Sequence, residues 1–192
     1  MHQILISCRE AMIAAVPLLP LFWVLNDRKF HDNKRSILYL CFAVYIAAMY
    51  AAVGLPDITY YRYSPRLNLT PFLYMFSAWD TTLLNVLLFL PLGLLLPILW
   101  KSFHSPVRTI FLGFSISLFI EFLQIFTYRA TDVNDLITNT FGTILGYLLG
   151  ILMLKVFPAI KPHDTQQDMY LIFGSSFAVM FFVYPFLARL LQ

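Results

Sequence analysis

Long apolar runs dominate the chain and are separated by short polar stretches. Six of them approach the roughly 20 residues that a helix needs to cross the hydrocarbon core of a bilayer, at about 4–25, 36–55, 83–100, 107–127, 136–157 and 169–190. Their continuity favours membrane-spanning helices over the short alternating strands of a barrel. The pattern predicts an all-α, polytopic transmembrane bundle of about six helices, or five if the first segment, which contains Pro17 and Pro20, does not span.

The composition strengthens this prediction. Of the 192 residues 60% are hydrophobic and 12% are charged, with a mean hydropathy of +0.75, whereas soluble domains carry about 25% charged residues. The net charge of +3 is small and indicates no nucleic-acid partner. Cys8 and Cys41 lie in apolar runs without a CxxC spacing, so we expect no disulfide framework, no metal site and no cofactor. Membrane lipids are the expected surroundings.

Lysine and arginine are unequally divided between the two sides of the predicted bundle. One set of loops carries Arg28, Lys29, Lys34, Arg35, Lys101, Arg108, Lys155 and Lys161. The other side carries Arg9, Arg62, Arg66, Arg129 and Arg189, and the two sets account for all thirteen basic residues. Because cytoplasmic loops are enriched in Lys and Arg, the first set is predicted to be cytoplasmic in a multi-pass protein of the cell membrane.

A group of polar side chains interrupts the apolar runs at one predicted depth, near the extracytoplasmic face. Asn85, Glu121, Gln124, Asp135 and Asn139 come from three different predicted helices. Glu121 and Gln124 are spaced i, i+3, and Asp135 and Asn139 are spaced i, i+4, so each pair shares a helix face. An acid inside a membrane is costly and usually faces a bundle interior or a wet cavity. The pattern therefore predicts an outward-facing polar pocket.

Structural roles remain open for the same residues. Glu121 would serve equally as a packing partner of Arg129 or Gln124, and the two asparagines as interhelical glue. Asp132 and Asp135 lie near a predicted helix start, where acids stabilise the positive end of the helix dipole.

Small residues extend the polar stripe inward on the fifth predicted helix. Gly142, Gly146 and Gly150 form a GxxxGxxxG spacing, which lets helix backbones approach closely. We expect helix packing along this seam, in a monomer or a dimer equally.

The long segment 57–80 precedes the third predicted helix and carries Arg62 and Arg66 among several tyrosines. One interpretation is an interfacial loop among lipid headgroups. The other is a lid over the polar pocket, where arginines would bind an anion such as a lipid phosphate, or carboxylates a divalent cation.

The polar motifs are similar to those of a known family. RLNLTPF at 66–72, NVLLFLPLG at 85–93, IEFLQ at 120–124, Asp132 and DLITNTFGTILGY at 135–147 resemble the VanZ family of bacterial membrane proteins. The resemblance covers roughly 66–150 and suggests three regions: an N-terminal membrane region with two helices (1–65), a VanZ-like core with three helices (66–157) and a C-terminal helix (158–192).

The resemblance implies an envelope protein with an outward-facing polar site, and through the family's link to teicoplanin resistance it implies lowered teicoplanin susceptibility. The candidate ligand-binding residues, which combine the matched motifs with the predicted depth, are Arg66, Asn68, Asn85, Glu121, Gln124, Arg129, Asp132, Asp135 and Asn139.

Three functions fit these features. The first is binding of a lipid-linked or lipoglycopeptide-type ligand at the outer face. The second is a membrane-embedded enzyme acting on a lipid-linked envelope substrate, with Glu121 as the candidate catalytic base; the sequence contains no GxSxG, HExxH or CxxC motif in its support. The third is a transporter, which the apolar inner halves of the predicted helices disfavour.

Overall fold

The computed structural model describes residues 2–63, 65–72, 79–127 and 129–191. The α-helices are α1 (His2–Leu25), α2 (Asn33–Ala52), α3 (Trp79–Leu99), α4 (Pro106–Gln124), α5 (Val133–Val156), α6 (Gln167–Ala178) and α7 (Tyr184–Leu190). Asn26–Phe30 and Val179–Val183 are π-helical, and Lys101–His104 is a 3₁₀ turn. Two short strands, β1 (Leu67–Asn68) and β2 (Thr131–Asp132), pair in parallel with Leu67 opposite Thr131 and Asn68 opposite Asp132.

The predicted all-α bundle of six membrane helices is confirmed for the described residues. Six helical spans are long and apolar enough to cross a bilayer, namely Ile6–Phe30, Asn33–Ala52, Trp79–Leu99, Pro106–Gln124, Val133–Val156 and Gln167–Leu190. The first remains helical through both of its prolines. The last joins α6 and α7 through the π-helical segment between them.

Side-chain caps explain why two helices begin before their apolar runs. Asp32 accepts hydrogen bonds from the backbone N–H groups of Lys34 (3.0 Å) and Arg35 (3.2 Å) at the start of α2. Asp132 accepts one from the N–H of Asn134 (2.8 Å) at the start of α5. Such caps satisfy the otherwise unpaired donors of the first helical turn, so each helix extends three residues into polar sequence.

The helices form two compact units. The terminal unit contains α1, α2, α6 and α7, from residues up to 61 and from 167 onward, and the central unit contains α3, α4 and α5, within 62–166. Helices of the first and last predicted regions, which are distant in sequence, thus pack together. Fully or almost fully buried side chains of Leu18, Phe22, Phe42 and Ile172 form the core of the terminal unit.

A buried ion cluster ties three elements of the terminal unit together. Asp168 at the start of α6 has a side chain that is 2% exposed, and it pairs with Arg35 of α2 and with Lys29 of the π-helical segment (3.2 Å). The Tyr39 hydroxyl also donates to it (3.4 Å). The Arg35 guanidinium lies over the Tyr39 ring at 5.2 Å from its centre, an additional favourable cation–π contact.

Glycines bring α5 against α3 in the central unit. A β-carbon added at Gly146 would overlap the carbonyl oxygen of Leu90, and one at Gly150 would lie 2.6 Å from that of Leu94. Gly142 similarly lies against the backbone of Val86. The two helix backbones are therefore in direct contact along the glycine stripe, an approach that any larger residue would prevent.

Candidate functional site

In the central unit, the side chain of Glu121 on α4 contacts the backbone just before α5. The Glu121 side chain lies near the end of α4 and is only 5% exposed. Its Oε2 accepts a hydrogen bond from the backbone N–H of Asp132 (2.8 Å), and its carbonyl oxygen accepts one from the Thr131 hydroxyl (3.0 Å). The chain between α4 and α5 thus folds back onto Glu121 and holds its carboxylate against β2.

Asp132 has both carboxylate oxygens engaged within the protein. Oδ1 caps α5 through the N–H of Asn134, and Oδ2 accepts a hydrogen bond from the side-chain amide of Asn68 (2.9 Å). Asp132 therefore joins β1 to the start of α5 and, through its N–H, orients Glu121. This geometry makes Asp132 a positioning residue.

Asp135 is held from a third helix. The side-chain amide of Asn85 on α3 donates to its Oδ1 (2.7 Å). Among the described residues, the other oxygen, Oδ2, has no hydrogen-bond or ion-pair partner. A neutral donor thus holds this carboxylate, which forms no ion pair among the described residues.

A second polar layer lies one helical turn further in. Asn139 is 3% exposed, and its amide nitrogen donates to the hydroxyl of Ser117, which is fully buried (2.9 Å). Ser117 precedes Glu121 by four residues on α4, and Asn139 follows Asp135 by four on α5, so the upper and lower pairs share the same helix faces. The Oδ1 atom of Asn139 is buried and accepts no hydrogen bond from the described residues.

Close packing ends the polar layers on their inner side. Gly113 is one turn before Ser117, and a β-carbon added there would overlap the side chain of Thr143. Thr143 is fully buried, and its hydroxyl donates to the carbonyl oxygen of Asn139 (3.0 Å). A side chain larger than that of glycine at position 113 would therefore not fit against Thr143.

The segment before α3 lies against the α4–α5 connection. The N–H of Arg62 donates to the carbonyl of Phe126 (2.8 Å), and the N–H of Thr131 donates to the carbonyl of Arg66 (2.8 Å). The N–H of Phe72 donates to the side-chain oxygen of Asn134 (2.6 Å). Part of the predicted lid is therefore attached beside the acidic residues, while positions 64 and 73–78 of the 57–80 segment lie outside the described residues.

The predicted site residues separate into an inner and an outer set. Asn68, Asn85, Glu121, Gln124, Asp132, Asp135 and Asn139 are buried or partly buried in the central unit, whereas Arg66 and Arg129 are exposed. Within the described ranges, neither arginine forms an ion pair with the three acids. No group of three or more His, Cys, Asp or Glu side chains in those ranges could hold a metal ion.

Sequence reasoning did not identify Ser117, Thr131 and Asn134 as part of this arrangement. The four-residue spacing from Ser117 to Glu121 was a usable signal. Thr131 and Asn134 carried no comparable pattern, because their contacts depend on how the connection folds.

These features define a multi-pass helical membrane protein in which buried and partly buried acids lie on two helices that pack together. The chain belongs to the VanZ/LLP1 family, whose model matches residues 35–154. It is 35% identical over 132 residues to Protein VanZ of Enterococcus faecium, covering 66% of this chain and 76% of that relative. No solved structure matches. The family resemblance is confirmed, and the match begins within α2, ahead of the motifs that start at Arg66.

Proposed function

We propose that this protein binds a lipid-linked or lipoglycopeptide-type ligand in the central unit and thereby lowers teicoplanin susceptibility of the bacterial envelope. One observation carries the proposal: Glu121 and Asp135, from separate helices, are held by hydrogen bonds on one oxygen while the other oxygen has no partner among the described residues. Ionisable groups are rare within membrane helices and usually serve substrate or ion binding. Membership of the VanZ/LLP1 family supports a role at the cell envelope.

A binding site open on one side agrees better with the packing than a transport path does. The Gly113–Thr143 contact closes the space beneath Ser117 and Asn139. The distribution of Lys and Arg supports an extracytoplasmic orientation of the other end, the side on which a glycopeptide meets its target.

The exposed arginines would bind ligand groups of the opposite charge to those that the acids would bind. Arg66 and Arg129 lie on the segments that flank the acidic residues and are exposed. Guanidinium groups suit phosphate and carboxylate groups through paired hydrogen bonds. An amphiphile with an anionic group at its outer end would therefore contact the arginines, while its amide, hydroxyl or cationic groups would contact the acids.

The test is drug susceptibility in a sensitive Gram-positive host at matched membrane levels of protein. We expect the wild type to protect against teicoplanin and not vancomycin, Glu121→Gln to lose that protection, and Asp80→Asn to keep it. Asp80 is a matched control because it is an exposed acid in the first turn of α3. Absence of protection by the wild type, or equal protection by Glu121→Gln, would contradict the proposal.

A membrane enzyme is the second candidate, favoured by the unpartnered Oε1 of Glu121. A carboxylate held through one oxygen leaves the other able to accept a proton from a substrate hydroxyl. Incubation of purified protein with a lipid-linked envelope precursor separates the two functions. Product formation that fails with Glu121→Gln supports the enzyme, and stoichiometric retention without product supports binding.

A further inference from the structure

We infer that the inner part of the site recognises a primary ammonium group. This inference deepens the proposed function and rests on it for the location of the ligand. It follows from side-chain oxygens that accept no hydrogen bond and from two carboxylates that form no ion pair among the described residues.

Three side-chain oxygen atoms in the site accept no hydrogen bond from the described residues. Glu121 Oε1 and Asp135 Oδ2 have no partner within the described ranges, while the second oxygen of each acid accepts from the N–H of Asp132 and the amide of Asn85. Asp132 does not add to this set because both of its oxygens are engaged.

Asn139 supplies the independent observation. Its side chain is almost fully buried, and its Oδ1 accepts nothing from the described residues although its Nδ2 is bound to Ser117. A buried acceptor without a partner costs free energy, and such atoms in native proteins usually mark a bound water, ion or ligand group. Asn139 lies one helical turn below Asp135, on the face of α5 that contacts Ser117 of α4.

No basic side chain of the described ranges forms an ion pair with Glu121 or Asp135. The ion pairs formed there are Arg28–Asp27, Lys29–Asp168, Arg35–Asp168 and Lys101–Asp164. An isolated carboxylate in a low-dielectric interior is strongly disfavoured. A ligand that brings a positive charge would therefore bind more tightly than a neutral one of the same shape.

A primary ammonium fits the open atoms better than other cations do. It is a compact charge with three N–H donors, and the site offers three acceptors on three residues. A quaternary ammonium has no N–H and is typically bound by aromatic rings. Ca²⁺ and Mg²⁺ take six or more oxygen ligands, of which these three protein atoms would supply at most half. The ammonium could come from an aminolipid headgroup or from a water-soluble amine, and the experiment distinguishes these sources.

The experiment uses the purified full-length protein in nanodiscs of phosphatidylcholine and phosphatidylglycerol. In one arm the discs contain a small fraction of phosphatidylethanolamine or of its N-acetylated derivative, and retained lipid is counted by native mass spectrometry. In the other arm glucosamine is titrated against N-acetylglucosamine by calorimetry. Acetylation removes the charge and two donors from each probe.

We expect the wild type to prefer the amine over its acetylated form by roughly tenfold or more in one arm, as for hydrogen bonds to charged groups. The preference should disappear in Glu121→Gln and in Asp135→Asn and persist in Asp80→Asn. Preference for the phospholipid identifies an aminolipid, and preference for glucosamine identifies a soluble amine.

Equal binding of amine and acetylated probes in both arms, or binding of neither amine, would overturn the inference. So would stabilisation by calcium chloride that depends on Glu121 when the amines have no effect, since the site would then hold a divalent cation. Teicoplanin protection that is lost in Glu121→Gln without any amine preference would leave the proposed function intact and refute only the ammonium. Amine preference without teicoplanin protection would support the ammonium inference and refute the proposed function.

Discussion

The two units bury their carboxylates in opposite ways. In the terminal unit, Asp168 is enclosed by the positive charges of Lys29 and Arg35. In the central unit, neutral donors from Asn85 and from a backbone N–H hold Asp135 and Glu121, and no cation among the described residues lies within ion-pair distance of either acid.

This difference in partners suggests a structural role for Asp168 and, under the proposed function, a ligand-binding role for Glu121 and Asp135. A buried acid with its own cations needs nothing further, and its hydrogen bonds and charges fix the positions of α2 and α6. Under the proposed function, a buried acid with neutral partners keeps a charge that a ligand would use. Four predictions test this contrast, from the largest expected effect on stability to the smallest.

Asp168→Ala should produce the largest loss of stability. The change leaves Lys29 and Arg35 without their common partner in a largely buried setting, which costs about 3–5 kcal/mol for a broken buried pair. The free energy of unfolding, measured by titration with a denaturing detergent in mixed micelles, should fall by that amount.

Asp164→Ala is the matched control for this prediction. Asp164 pairs with Lys101 at 3.8 Å, and both side chains are more than half exposed, so its loss should cost about 0–1 kcal/mol. Equal effects of the two substitutions would refute the structural role assigned to Asp168.

Gly146→Ala should destabilise the central unit by about 1–3 kcal/mol, the typical cost of overpacking. The added methyl group would overlap the Leu90 carbonyl and force α5 away from α3. The same titration measures the loss. Gly174→Ala is the control: nothing lies within 4 Å of its added carbon, and a helical Gly→Ala change gains up to about 1 kcal/mol. A stable Gly146→Ala variant would contradict the backbone contact.

Glu121→Gln should leave the stability of the ligand-free protein unchanged, or raise it by up to about 1 kcal/mol, because it removes a charge that has no cation. The glutamine oxygen still accepts the N–H of Asp132. Asp168→Asn, in contrast, should lower stability. The comparison is made by unfolding both variants in the same micelles, and a large loss in Glu121→Gln would mean that its carboxylate is structural.

Replacing either of two exposed aspartates with cysteine should not affect stability. The labelling of each cysteine should show on which side of the membrane it lies. In a Cys8→Ser, Cys41→Ser background, Asp80→Cys should react with a membrane-impermeant maleimide on intact cells, and Asp164→Cys should react only after permeabilisation. The expectation follows from the Lys and Arg distribution. The reverse labelling pattern would place the acidic site on the cytoplasmic side.

Much of the fold was predictable because the membrane imposes it locally. Apolar runs near 20 residues identified all six spans. The errors lie at helix starts such as Asn33 and Val133, where polar caps extend the helix, and at helix ends such as Ala52 and Gln124, which precede the predicted ends by three residues. The faces shared by Asp135 and Asn139 followed from helical periodicity. The buried Asp168 cluster was missed because its cations are distant in sequence.

The sequence by itself determined that the chain is a bundle of apolar helices, which of its polar residues share helix faces, and where glycines permit close contact, since these properties depend on composition and on a period of 3.6 residues. Only the tertiary structure decided which partner each acid receives. The hydrogen bonds of Asn68 to Asp132 and of Asn85 to Asp135 join residues 64 and 50 positions apart. No local pattern encodes such pairings, because they depend on how packed helices and a folded connection place their donors. That placement engages both carboxylate oxygens of Asp132, whereas Glu121 and Asp135 each keep one oxygen without a partner in the described part of the chain.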